Sequence, residues 1–201
     1  VVKKHLSSND LYFHADLHGA PSCSLKLKEG FEVDSHPNPL LPEGVVSYRL
    51  SQALEVESFG DEVLQQAAQM AVCWSRAWSG GGGGATAYHA TPGQVSKTTE
   101  TGESLGRGAF IVRGTRHWYK DLPLEISLGM VAINGVPLPL IGPHEVVSKR
   151  CERWIKLSPG HEKKENVATR IAKATGLLQD DVLSALPPGN LTLGEDHGIL
   201  S

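Results

Sequence analysis

Apolar positions along this chain recur with two periods, and each period predicts a different kind of element. Residues 22–28 set Cys23, Leu25 and Leu27 against Ser24, Lys26 and Lys28, the alternation of a half-buried strand. Just before it, Leu11, Tyr12 and Phe13 are strand formers, and Gly19, Ala20 and Pro21 provide a tight exit. A first strand over 11–18 is therefore expected to pair with 22–28. Further strands are predicted at 85–90, 109–112 and 154–157. Residues 124–131 and 136–141 form a predicted hairpin, because Asn134-Gly135 suits a primed turn. Helical spacing is clearest over 61–78, where Val63, Ala67, Met70, Trp74 and Ala77 share a face and Ser58 and Asp61 form a capping pair. Trp74 and Trp78, four apart, are read as packing residues of that helix.

The remaining segments give weaker patterns. Residues 1–8 resemble the end of a helix, with Lys3, Lys4 and His5 in its last turn. Between 29 and 60, Pro37, Pro39 and Pro42 crowd together, which predicts a long variable loop with at most a helical turn at 50–56. A helical turn is expected at 143–148. Ser158-Pro-Gly-His-Glu is read as the start of a final helix, apolar along Val167, Ile171 and Ala174. A short helix should follow at 177–186, and 187 onward reads as a loose tail. The predicted fold class is α+β: a mixed, mostly antiparallel sheet with two main helices, 61–78 and 162–174, packed on it.

Composition narrows the function classes. With 201 residues, 40% hydrophobic and 20% charged, the chain can bury a core as one domain or one domain with an appendage. The net charge of -3 supplies no overall basic field, so any nucleic-acid contact must come from a local patch. Cys23, Cys73 and Cys151 are far apart and form no Cys-x-x-Cys pair, which favours a reducing, cytoplasmic setting over a zinc knuckle. No apolar run reaches membrane-spanning length, and Val1-Val2-Lys3-Lys4-His5 is not a signal peptide. The missing initiator Met suggests a piece of a longer protein. The five glycines at 80–84 lack a following Gly-Lys-Ser/Thr and are read as a connector, not a phosphate loop.

Two stretches carry candidate chemistry. If the first strand reaches residue 18, its two-residue period brings His14, Asp16 and His18 to one face. Such a triplet can hold a divalent metal, bind phosphate and base edges, or brace a hydrogen-bonded turn. The second stretch, 94–114, is dense in hydroxyls, amides and glycines, and Lys97, Arg107, Arg113 and Arg116 add charge to it. Trp118 and Tyr119 beside Arg116 and Lys120 interleave aromatic with basic side chains, which suits stacking on unpaired bases.

Several blocks, taken together, resemble a known family. They are Val1-Val2-Lys3-Lys4-His5, Asn9 through Ala20, Ser75-Arg76-Ala77-Trp78, Gln94-Val95-Ser96-Lys97-Thr98, Thr101-Gly102-Glu103, Gly108-Ala109-Phe110 and Arg113-Gly114. In this order, over roughly residues 1–175, they resemble the NFACT-R domain, the RNA-binding domain of the NFACT (RqcH and NEMF) proteins of ribosome quality control, with wording akin to archaeal members. The resemblance implies an NFACT-R-like domain at 1–176, with its own N-terminal strands missing, and an appendage or tail at 177–201. It implies a cytoplasmic, non-enzymatic RNA-binding module that needs no cofactor or metal. Its expected partners are tRNA and the large ribosomal subunit. Companion NFACT-N, helix-hairpin-helix and coiled-coil domains would lie in the same full-length protein. The implied role is on large subunits carrying stalled peptidyl-tRNA, in support of template-free tailing of nascent chains.

On this reading His14, Asp16 and His18 shape a polar surface beside Gln94, Ser96, Lys97 and Thr98, while Arg107, Arg113 and Arg116 meet phosphate. Two other classes stay open at this point. One is a metal-dependent phosphoesterase or nuclease built on the triplet; the other is a docking module for the NFACT-N domain.

Overall fold

The computed structural model describes residues 6–8, 10–26, 30–34, 39–51, 60–80, 85–98, 102, 105 and 110–201, with backbone alone at 30–33 and 49–51. The class is α+β, and the chain divides into two compact units. The first comprises Val1–Leu27, Val56–Ala77 and Gly83–Pro123; the second comprises Lys28–Glu55, Trp78–Gly82 and Leu124–Ser201.

The first unit is built on β1 (Leu11–Ala15), β2 (Cys23–Leu25), β5 (Ala85–Ala90) and β8 (His117–Leu122). They form an antiparallel sheet in the order β2-β1-β5-β8. The expected pairing of the first two strands is present, in the register Leu11 to Leu25 and Phe13 to Cys23. Helix α1 (Asp61–Cys73) packs on β1, β5 and β8. Its buried residues are Ala68, Ala71, Val72 and Cys73, whereas Val63 is exposed. The buried stripe is thus rotated by about one residue from the expected Val63–Met70 face. Small alanines, not the larger apolar residues, let the helix approach the sheet.

The helix is also shorter than predicted. The Ser75 hydroxyl donates to the Val72 carbonyl at 2.7 Å and accepts from the Ala77 N–H at 3.1 Å, so it closes α1 and opens α2 (Arg76–Gly80). Trp74 and Trp78 therefore do not share one helix. The proposed cap at Ser58 lies outside the described residues, as do residues 1–5 of the helix end predicted over 1–8; residues 6–8 are not helical.

The second unit holds a six-stranded sheet ordered β12-β11-β9-β4-β3, with β10 on the remaining edge of β9. Its strands are β3 (Gly30–Val33), β4 (Val46–Ser51), β9 (Ile126–Ile133), β10 (Val136–Gly142), β11 (Trp154–Glu162) and β12 (Leu191–His197). The predicted hairpin is β9–β10, turning through Asn134 at φ 51° and Gly135 at φ 78°, as a type I′ turn requires. The other edge of β9 is shared: Ile126–Gly129 pair antiparallel with β11, and Val131–Ile133 pair parallel with β4. Both edges occupied, β9 is buried from Ile126 to Ala132. The short helix α3 (His144–Ser148) falls where the helical turn was expected.

Three expectations are corrected in this unit. Residues 29–60 are not one long loop: β3 and β4 form an antiparallel pair, and all three prolines lie between them. Alternation in Val46-Ser47-Tyr48-Arg49-Leu50-Ser51 was the strand signal, and crowded prolines masked it. Residues 158–162 continue β11, and the helix (α4) runs Lys164–Thr175, burying Val167, Ala168 and Ile171 with Ala174 exposed. Residues beyond 187 are no loose tail: β12 pairs with β11, and Leu191 and Ile199 are fully buried. With α5 (Gln179–Ala185), three helices of seven or more residues stand among the described residues, not two.

Candidate nucleic-acid interface

The sheet of the first unit has two unlike faces, set by strand alternation and register. Phe13 pairs with His89 and His89 with His117, so this row lies on the α1 side. Tyr119 is on the same side, where its hydroxyl lies 2.7 Å from His89 Nδ1. Burial raises the Tyr119 pKa, and the Asp61 carboxylate of α1 raises it further. Burial also lowers that of His89, and His117, stacked on it at 4.6 Å, adds to the shift. Tyr119 is therefore packed under the sheet and does not join Trp118 as an outward surface.

The opposite face carries Tyr12, His14, Tyr88 and Trp118. His14 sits across from Tyr88, and Tyr88 across from Trp118. Their rings form a continuous row: His14 to Tyr88 at 5.9 Å, and Tyr88 to Trp118 at 5.1 Å with a 61° interplanar angle. The Arg116 guanidinium lies 4.8 Å from the Tyr88 ring centre and 5.9 Å from that of Trp118. Burial raises the Tyr88 pKa; Arg116 opposes the rise, and Asp16 adds to it. Arg116 thus places a cation at the Tyr88–Trp118 end of the row.

A two-stranded ribbon covers part of this face. It comprises β6 (Val95–Ser96) and β7 (Ile111–Val112), paired antiparallel. Val95, Phe110 and Val112 pack against Tyr12 and Tyr88, which fixes the ribbon to the aromatic side. The loop before it is a 3-10 turn, Pro92–Gln94, closed by a reciprocal capping box between Thr91 and Gln94. Gln94 Nε2 also donates to the Arg113 and Thr115 carbonyls, at 2.8 and 2.7 Å. Arg113 in turn donates to the Thr98 carbonyl at 3.0 Å, and the Ser96 and Thr98 hydroxyls lie 3.1 Å apart. Lys97 Nζ stands 5.3 Å from the Phe110 ring centre.

The candidate residues are therefore distributed in three places. Gln94, Ser96, Lys97, Thr98 and Arg113 belong to the ribbon, where Gln94, Ser96, Thr98 and Arg113 hold its shape. Arg116 and His14 belong to the aromatic row. Asp16 and His18 lie in an exposed turn, because β1 ends at Ala15 and Gly19 adopts φ 75°. The expected alignment of His14, Asp16 and His18 on one strand face does not occur. Leu17 N–H already bonds back to the Ala15 carbonyl at 2.7 Å, which breaks the two-residue period. His14 Nε2 instead lies 3.0 Å from the Ala20 carbonyl and closes the turn. Among the described residues no group of three or more His, Cys, Asp or Glu is placed to hold a metal ion. Arg107 lies outside the described residues.

Sequence reasoning passed over Tyr12 and Tyr88 as functional residues. Their signal was period-two placement opposite Phe13 and His89, and only the register shows that the two tyrosines meet. Asp10 was also passed over. It is 3% exposed, accepts from Lys26 at 2.7 Å and from the Ser7 N–H at 2.7 Å, and ties β1 to the end of β2.

Residues 1–114 match the family model described as the NFACT protein RNA binding domain. Over 192 residues the chain is 34% identical to the archaeal Rqc2 homolog aRqcH of Methanocaldococcus jannaschii, covering 94% of this chain and 25% of that protein. It is likewise 34% identical over 196 residues to the human ribosome quality control complex subunit NEMF, covering 98% of this chain and 14% of that protein. The Drosophila melanogaster NEMF homolog is 28% identical over 131 residues, 65% of this chain and 10% of its own length. The chain thus spans a quarter or less of these relatives. No helix among the described residues is long and apolar enough to cross a membrane.

Proposed function

Because the chain belongs to the NFACT protein RNA-binding domain family, we propose that it is the RNA-binding module of a ribosome quality control factor, working by binding and not by catalysis. Its partners are tRNA and the large ribosomal subunit that carries stalled peptidyl-tRNA. There it supports template-free tailing of the nascent chain, within a longer cytoplasmic protein that also holds NFACT-N, helix-hairpin-helix and coiled-coil domains.

The observation that carries this reading is the ribbon-side face of the first unit. Arg116 lies on a row of aromatic rings there, and the ribbon packed on that row carries Lys97 and Arg113, on a chain whose net charge is -3. A local cluster of cations on a chain of slightly negative charge suits an oriented contact more than diffuse attraction. Arg116 and Lys97 contact phosphate. Gln94, Ser96, Thr98 and Arg113 hold the ribbon that presents them, and His14, Asp16 and His18 border the surface.

The test is a salt titration of binding between this chain and unmodified tRNA. Binding should weaken linearly on logarithmic axes, with a slope of roughly 0.7–0.9 per phosphate neutralised. Lys97→Gln and Arg116→Gln should each lower the affinity and flatten that slope. A folded chain that binds no tRNA at low salt, or whose slope survives both substitutions, would sink the proposal.

A further inference from the structure

The outward row of rings is unevenly finished. Tyr12 and Tyr88 are buried under the ribbon at 3% and 7%, yet Trp118, at the end of the same row, remains 45% exposed. Leaving a tryptophan half open forfeits much of the stabilisation that its burial would bring. Its placement is nonetheless fixed, since Tyr88 meets it edge-on and Arg116 lies over it. Arg116 is fixed as well: it rests on Tyr88 and donates to the Val112 carbonyl at 3.3 Å. A guanidinium has five N–H donors, so this one bond leaves others for an anion beside the open ring.

We infer that Trp118 and Arg116 form a subsite for one unpaired RNA base and its phosphate, so that the chain takes looped or single-stranded RNA in preference to duplex; this deepens, and rests on, the RNA-binding reading above. The base stacks on the open indole, and the guanidinium holds the adjoining phosphate. A base inside an A-form helix is stacked on both faces and cannot use such a ring. Charge alone supplies little discrimination here. Arg113 is engaged with the Thr98 carbonyl, which leaves Arg116 as the cation beside the open ring. Stacking is what remains to decide which RNA is bound.

The experiment measures binding of this chain to two probes of equal phosphate count, an RNA hairpin with an eight-nucleotide loop and a blunt duplex, at one ionic strength. Wild-type chain should prefer the hairpin by about tenfold, the scale of one base stacked on an aromatic side chain. Trp118→Ala should lower hairpin affinity far more than duplex affinity and so remove the preference. Trp118→Phe should restore most of the preference, which a merely structural loss would not. Trp118→Ala gives up the contacts with Tyr88 and Arg116 and should lower the thermal midpoint, Trp118→Phe less so, so binding is compared at a temperature where circular dichroism shows all three chains folded. Equal affinity of wild-type chain for both probes overturns the stacking subsite and leaves RNA binding standing. An unchanged preference in Trp118→Ala does the same. Failure of both probes to bind overturns the RNA-binding reading itself, and this inference with it.

Discussion

Asp10 Oδ2 lies 2.7 Å from Lys26 Nζ, and this ion pair clasps the start of β1 to the residue that follows β2. Burial of Asp10 works against its charge, but the bonds from Lys26 and Ser7 outweigh burial and hold the carboxyl below its ordinary pKa of 3.8. A carboxyl whose pKa is depressed in the folded state contributes stability that is fully present above 3.8 and is lost as pH falls through the folded value. Acid unfolding followed by circular dichroism should therefore show a wild-type loss below that pH, and Asp10→Asn should be less stable at pH 7 with a flatter acid limb. Lys26→Met should cost about 1–3 kcal/mol by leaving the carboxylate short of a partner. An acid limb in Asp10→Asn as steep as in wild type would remove Asp10 from the account.

Gln94 spends its amide on three backbone groups: the Thr91 N–H at 2.9 Å, the Arg113 carbonyl at 2.8 Å and the Thr115 carbonyl at 2.7 Å. It thereby positions the Arg113–Arg116 segment without itself needing to meet RNA. Gln94→Ala should weaken tRNA binding several-fold while leaving the salt slope as it was, because no cation is lost. A slope lowered as much as in Arg116→Gln would mean that Gln94 acts on phosphate contacts directly.

How far the sequence announced this arrangement depends on the range of the interaction concerned. Local signals were readable: Asn134-Gly135 specified its turn, and alternation specified β2. The triplet failed for a reason of the same local kind. Gly19 draws the turn back to residue 16, and no periodicity argument shows where a strand's hydrogen bonds stop. The β4 strand was hidden because prolines in the connection before it dominated the reading of the whole segment. The aromatic row was illegible for a different reason. Tyr88 and Trp118 are far apart in the chain, and only the β5–β8 register makes them neighbours. Tyr119 shows the converse, since one step along the strand turns it to the helix side.

Gly129, in the centre of β9, has no room for a side chain. A Cβ there would stand 2.6 Å from Cys151 Sγ and 3.0 Å from the Arg153 carbonyl oxygen. Gly129→Ala should destabilise the chain by roughly 1–3 kcal/mol, the usual cost of overpacking. Adding Cys151→Ala should recover only the part of that loss owed to the sulfur, because the Cys151 Cβ, which alanine keeps, also stands 2.7 Å away. Denaturant midpoints of the two single variants and the double variant would decide; strict additivity would show that the sulfur is not the obstacle.

His89 is 9% exposed, and its Nδ1 shares a hydrogen bond of 2.7 Å with the Tyr119 hydroxyl. Burial first, and then the neighbouring His117, depress its pKa below 6.5, so the fold favours the neutral ring. The unfolded chain binds that proton more readily. The contribution of His89 to stability is therefore complete above pH 6.5 and declines as pH falls toward the folded pKa. Denaturant midpoints between pH 8 and pH 5 should drop for wild-type chain well before the acid limb of Asp10 begins. Replacing both partners, His89→Phe with Tyr119→Phe, should flatten this upper limb, since it removes the titrating ring without orphaning the hydroxyl. Tyr119→Phe alone should cost about 1 kcal/mol at pH 7 and keep the limb, because the buried histidine still titrates. If the double variant keeps the wild-type decline between pH 7 and pH 5, the protons responsible belong elsewhere.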